Sequence, residues 1–129
     1  MSDPSKEILV VDDDAIMREL VVDWLEAAGY RVRSAADCGA AVQHAANGAP
    51  ALVISDMWMP GACGGDAIKR LKQRYPEVRL IAISGHFHSG HGFSAEAALK
   101  AGAERAVPKP VERRELMRAV AELVGPPDR

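Results

Sequence analysis

Five short runs of aliphatic and β-branched residues recur along the chain, and helix-like stretches separate them. The runs are "EILVV" (7–11), "RVRSA" (31–35), "ALVIS" (51–55), "RLIAI" (79–83) and "RAV" (105–107). Strands joined through helices need crossover connections, which make neighbouring strands parallel. The first, third and fourth runs are apolar enough to be buried on both faces, as the central strands of such a sheet are. The fold class that follows is α/β, a single doubly wound five-stranded parallel sheet with helices on both faces.

The helical stretches support this alternation. Residues 14–28 place Arg18, Glu19, Asp23 and Glu26 on one stripe, and Ile16, Leu20, Val21, Leu25 and Ala28 on the other, with Gly29 as the stop. A second, Ala-rich helix is expected at about 37–47. A third, at about 65–74, buries Ile68 and Leu71 ahead of Pro76, and a fourth, at about 94–101, ends at Gly102. The last, at about 111–124, repeats Leu116, Val120 and Leu123 against Arg114, Arg118 and Glu122. No repeat or internal linker interrupts the pattern, so one domain is expected over 7–124, with short tails at 1–6 and 125–129.

Several functional classes are disfavoured on composition. A chain of 129 residues suffices for one continuous core and leaves no room for a second domain. Its apolar runs fall well short of the roughly 20 residues that span a bilayer, and "SDPSKE" after Met1 is no secretion signal. A cytoplasmic protein without membrane insertion is the expectation. Sixteen basic against eighteen acidic residues leave a formal charge of −2, which disfavours direct binding to nucleic acid. Cys38 and Cys63 lack metal-type spacing and read as small, partly buried thiols.

In open parallel sheets, ligands bind beyond the carboxyl ends of the strands. Those ends carry Asp12, Asp13 and Asp14 after the first run, Asp56 after the third, Ser84 after the fourth and Lys109 just past the fifth. Carboxylates crowded together repel one another unless a cation compensates them, so Asp12, Asp13 and Asp56 ask for a metal. Hard oxygen ligands without nearby His or Cys select Mg²⁺ or Mn²⁺. The Ser84 hydroxyl and Lys109 ammonium suit the oxygens of a phosphoryl group, and one carboxylate can serve as the nucleophile that forms an aspartyl phosphate. Asp14 suits a different task, the N-cap of the first helix. Taken singly, Asp12 and Asp56 also read as capping residues and Ser84 as a turn hydroxyl.

The motifs "LVVDDD", "VISDMWMPG", "IAISGH" and "VPKP" occur in order over about residues 7–124. In that order and spacing the sequence resembles the receiver domains of bacterial two-component response regulators. The resemblance implies a flavodoxin-like strand order 2-1-3-4-5, with Asp56 as phosphoacceptor. It further implies Mg²⁺ held by Asp13, Asp56 and the main-chain carbonyl of Trp58, a metal-bound water on Asp12, and phosphoryl oxygens on Ser84 and Lys109. A cis Lys109–Pro110 bond is expected as well. The partners it implies are a sensor histidine kinase or phosphotransfer protein and a downstream target or output domain. A weak homodimer through the fourth helix, fifth strand and last helix is a further expectation.

Two features depart from the family pattern. Ala106 stands where receiver domains usually carry an aromatic, so the switch signal is expected to run through the "GHFHSGHGF" loop, its phenylalanines or Arg105. Ser84 and Lys109 are also 25 positions apart, a few more than is usual for the family, and His86, His88 and His91 fall in the excess. These histidines read as solvated loop residues rather than zinc ligands. Two other functions compete: a phosphate-independent docking scaffold and a Mg²⁺-dependent aspartyl phosphatase. The phosphatase would want a second Asp two residues after its nucleophile, and Asp56 is followed there by Trp58. The chain stops at "VGPPDR", so a stand-alone regulator, or one parted from its output module, is expected.

Overall fold

The computed structural model describes residues 7–12, 14–36, 50–56, 72–73, 76–84, 99, 102–108 and 111–125; at Asp56 and Ser84 it describes the backbone. Five strands form one sheet: β1 (Glu7–Val11), β2 (Arg31–Ala35), β3 (Leu52–Asp56), β4 (Arg79–Ser84) and β5 (Arg105–Pro108). Every pairing is parallel and the order is β2-β1-β3-β4-β5. Both the expected sheet class and the expected strand order are therefore found.

The three central strands are apolar because both of their faces are covered. On one face Ile8, Val10, Leu52, Ile54, Ile81 and Ile83 join a core with Val21, Leu25, Leu116 and Val120. On the alternate positions Leu9, Val11, Val53, Leu80 and Ala82 are buried as well. Full burial of each such aliphatic side chain contributes about 1.5–3 kcal/mol, so the central strands carry much of the driving force for folding.

Two helices are described in full, α1 (Ala15–Ala27) and α2 (Arg113–Val124), the last helix of the chain. They pack against each other and share that first core face. Asp14 caps α1 as its sequence position suggests, its Oδ1 accepting from Ile16 N at 3.0 Å and Met17 N at 3.2 Å. At the other end Gly29 takes φ 103°, a conformation that costs glycine little. There Gly29 N donates to Glu26 O and Tyr30 N to Leu25 O, the paired bonds of a Schellman motif.

The C-terminal helix begins at Arg113 rather than 111, with Glu112 in extended N-cap geometry and no side-chain cap bond. The packing of Val111 into the core ahead of the extended Glu112 accounts for the later start. Val111 and Leu116 stand at the N′ and N4 positions, and both belong to the core, as in a hydrophobic staple.

The first helix differs from the sequence expectation in its buried face. Ile16 is 80% exposed and Leu20 41%, whereas Met17 and Trp24 pack on the core beside buried Val21 and Leu25. Strand ends shift too: β3 runs one residue later than 51–55, β4 includes Ser84, and β5 includes Pro108. The ladder decides these bounds, since Asp56 pairs with Ile83 and Ser84 with Pro108. Pro108 is tolerated because β5 is an edge strand.

The start of β4 is tied to the start of β5 by Glu104. Its carboxylate accepts from Leu80 N at 2.8 Å and pairs with Lys72, which also donates to Val78 O. Of the expected third and fourth helices, Lys72, Gln73 and Leu99 are described, and all three are helical. The expected 37–47 helix, both cysteines, the His86–His91 loop, the Lys109–Pro110 bond and both tails, apart from Gly125, lie outside the described residues. Among the described residues no helix is long and apolar enough to cross a membrane.

Candidate functional site

The carboxyl edge of the sheet is assembled by register. Val11 pairs with Ser55 across β1 and β3, so Asp12 and Asp56 each sit one step further along adjoining strands. Asp12 N donates to Ala35 O at 3.1 Å, which carries the β1–β2 ladder up to this residue. Adjacent strands lie about 4.8 Å apart, so the two backbones at this level are close neighbours. On the far side of β3, Asp56 pairs with Ile83 and Ile83 with Val107. Ser84 and Pro108 form the next level, and Lys109 follows directly in the chain.

Asp12 is 2% exposed, one of two buried polar or charged residues among those described. Its Oδ1 accepts from Asp14 N at 2.9 Å, a local bond that turns the chain out of β1 and into the Asp14 cap. Asp12 therefore makes a local turn ahead of the helix, whose cap is Asp14 and not Asp12. Holding this oxygen-rich group out of water suits a hard cation, because burial of a carboxylate is costly without charge compensation.

Arg18 is a participant that the sequence did not mark out. From the first turns of α1 its Nη1 donates to Asp12 O at 2.7 Å, which pins the residue at the strand end and brings a guanidinium to the acidic edge. Its place on a polar helical stripe carried no such signal. Asp13, Trp58 and Lys109 lie outside the described residues, and the structure gives the backbone positions of Asp56 and Ser84. Among the described residues no cluster of three metal-ligating side chains is found.

Ala106 pairs with Ala82 in β5, and its neighbour Arg105 is exposed, with Nε 3.6 Å from Glu122 Oε1 of α2. The position that usually holds an aromatic is therefore an alanine at the sheet edge, beside an exposed ion pair.

A five-stranded parallel sheet of order 2-1-3-4-5, with the backbones of Asp12 and Asp56 level at the ends of adjoining strands, defines an α/β protein whose candidate residues fall at one edge. The family pattern described as the response regulator receiver domain matches residues 8–121, and the chain belongs to that family. It is 37% identical over 106 residues to the nitrogen assimilation regulatory protein NtrX of Azorhizobium caulinodans, covering 81% of this chain and 23% of that protein. To the chemotaxis protein CheY of Thermotoga maritima it is 34% identical over 119 residues, covering 92% of this chain and 97% of the relative. The crystal structure of the receiver domain of NtrX from Brucella abortus superimposes with a TM-score of 0.83 at 31% identity, covering 91% of this chain and 97% of that one. The chain spans about a quarter of the length of the nitrogen regulators it matches.

Proposed function

We propose that the chain is a phosphorylation-controlled signalling module in which Asp56 accepts a phosphoryl group from a sensor histidine kinase or a phosphotransfer protein. The observation that carries this reading is the level placement of Asp12 and Asp56 on adjoining central strands, with Asp12 buried. An Asp56 carboxylate oxygen attacks phosphorus as the phosphorus–nitrogen bond of the donor phosphohistidine breaks. The bonding pair leaves with the imidazole. The Ser84 hydroxyl and Lys109 ammonium take the phosphoryl oxygens.

The donor set fits a hard divalent cation: Asp12, Asp13, Asp56 and the Trp58 carbonyl offer oxygen alone. When bound there, Mg²⁺, or Mn²⁺ in its place, supplies positive charge that offsets the carboxylates and the phosphoryl group. Asp12 stays fixed by its bonds to Asp14 and Arg18 while this charge balance changes. In this reading the chain catalyses only its own phosphorylation and dephosphorylation, works in the cytoplasm, and presents a changed face to a downstream protein or output domain. Self-association through the fourth helix, β5 and α2 is part of the same proposal.

Intact mass before and after incubation with Mg²⁺ and acetyl phosphate tests it. One phosphoryl group is expected on the wild-type chain and none on Asp56→Asn. Modification that persists in that variant rules out the acceptor assignment.

A further inference from the structure

The other edge of the sheet holds a contact that the acceptor chemistry does not use. Tyr30 Oη donates to Gly125 O at 2.7 Å, joining residues 95 positions apart. Tyr30 directly precedes β2 and therefore lies at the amino edge of the parallel sheet, away from Asp12 and Asp56. Val111 follows β5 at the acidic edge, so α2 runs antiparallel to the strands and ends at this opposite edge.

Both partners of the bond are held from behind. Tyr30 N is fixed to Leu25 O by the Schellman motif, and the residue is 7% exposed within the core. Gly125 N donates to Ala121 O at 2.9 Å, and the chain turns out of the helix there with φ 78°. A donor with a fixed backbone and an acceptor at a fixed helix end leave the bond little slack.

We infer that Tyr30 is a clamp between the carboxyl ends of α1 and α2, which fixes the point and direction in which the chain leaves the receiver domain. Any tilt of α2 that starts at the acidic edge then pivots about this end. The inference goes beyond the phosphoacceptor reading and is independent of it, since the bond is present in the unmodified chain.

The test is amide exchange by NMR on the full chain, comparing wild type with Tyr30→Phe, which keeps the ring. Loss of one neutral hydrogen bond corresponds to about fivefold faster exchange, expected at Leu123, Val124 and Gly125 through local opening of the helix end, over and above the rise that the amides of β1 and β3 share as global stability falls. Unchanged exchange at the helix end overturns the clamp, and so does a rise there no larger than that in β1 and β3, which would show that the bond holds the fold as a whole and not the helix end. Gly125→Ala supplies the second arm. An added Cβ meets no atom within 4 Å, but φ 78° disfavours it, so the acceptor shifts. In the double variant the effects at the helix end are expected to be non-additive. Simple additivity would show that the two residues are not coupled and would also overturn the clamp.

Discussion

Two of the three consecutive aspartates, Asp12 and Asp14, differ in their surroundings. Asp14 is exposed and spends its carboxylate on two α1 amides, whereas Asp12 is buried and turns the chain while facing the acidic edge. Asp14→Ala is expected to lower stability by about 1 kcal/mol, the usual worth of an N-cap. A urea titration checks this, and an unchanged midpoint would show that the two amides find other partners. Asp13→Ala should abolish Mg²⁺-dependent phosphorylation while the circular dichroism spectrum stays that of the folded chain, and normal phosphorylation in that variant would refute the metal role. The cap was legible in the sequence because an Asp just before an amphipathic run has a known local task. The Arg18 bond to Asp12 O was not, because a side chain reaching a carbonyl six residues back leaves no periodic signature.

At the scale of elements, α1 separates hydrophobicity from burial. Ile16 and Leu20 repeat at four residues, as do Val21 and Leu25, and the sequence offers both pairs as a core stripe. At 3.6 residues per turn, Ile16 points about 140° away from Val21, so one face cannot include both. The sheet selects the Val21 and Leu25 stripe because Met17 and Trp24 widen it. Leu25→Ala is expected to cost about 2–5 kcal/mol, while Ile16→Ala should stay within about 0.5 kcal/mol. Equal shifts of the two denaturation midpoints would contradict the observed orientation. The central strands were legible for a different reason, since burial on both faces makes them continuously apolar. Their register was not legible, because the level of Asp56 against Asp12 depends on pairing between distant segments. The strand ends therefore moved by a residue, while the backbones of Asp12, Asp56 and Ser84 fall at the same edge.

On the scale of the whole molecule, the Tyr30 bond joins segments so far apart that spacing could not reveal it, and its hydroxyl gives the fold a dependence on pH. Burial raises the Tyr30 pKa above its ordinary value of 10.0 by desolvating the phenolate. The folded chain therefore holds this proton more tightly than the unfolded chain does. The sign follows: the contribution is complete below the unfolded pKa and is lost as pH rises through the raised folded value. An ionised phenolate also has no proton to donate to Gly125 O, so the same titration removes the clamp. Two tyrosines are present, so Tyr75→Phe leaves Tyr30 as the sole phenol. In that background near-ultraviolet absorbance should show phenolate forming above the ordinary tyrosine range. Urea midpoints measured between about pH 9 and about pH 11 should fall more steeply than in a variant that also carries Tyr30→Phe. Lysines titrate over the same range, and the comparison subtracts them because both proteins carry the same set. Parallel pH profiles for the two proteins would show that the Tyr30 proton does not contribute to holding the fold.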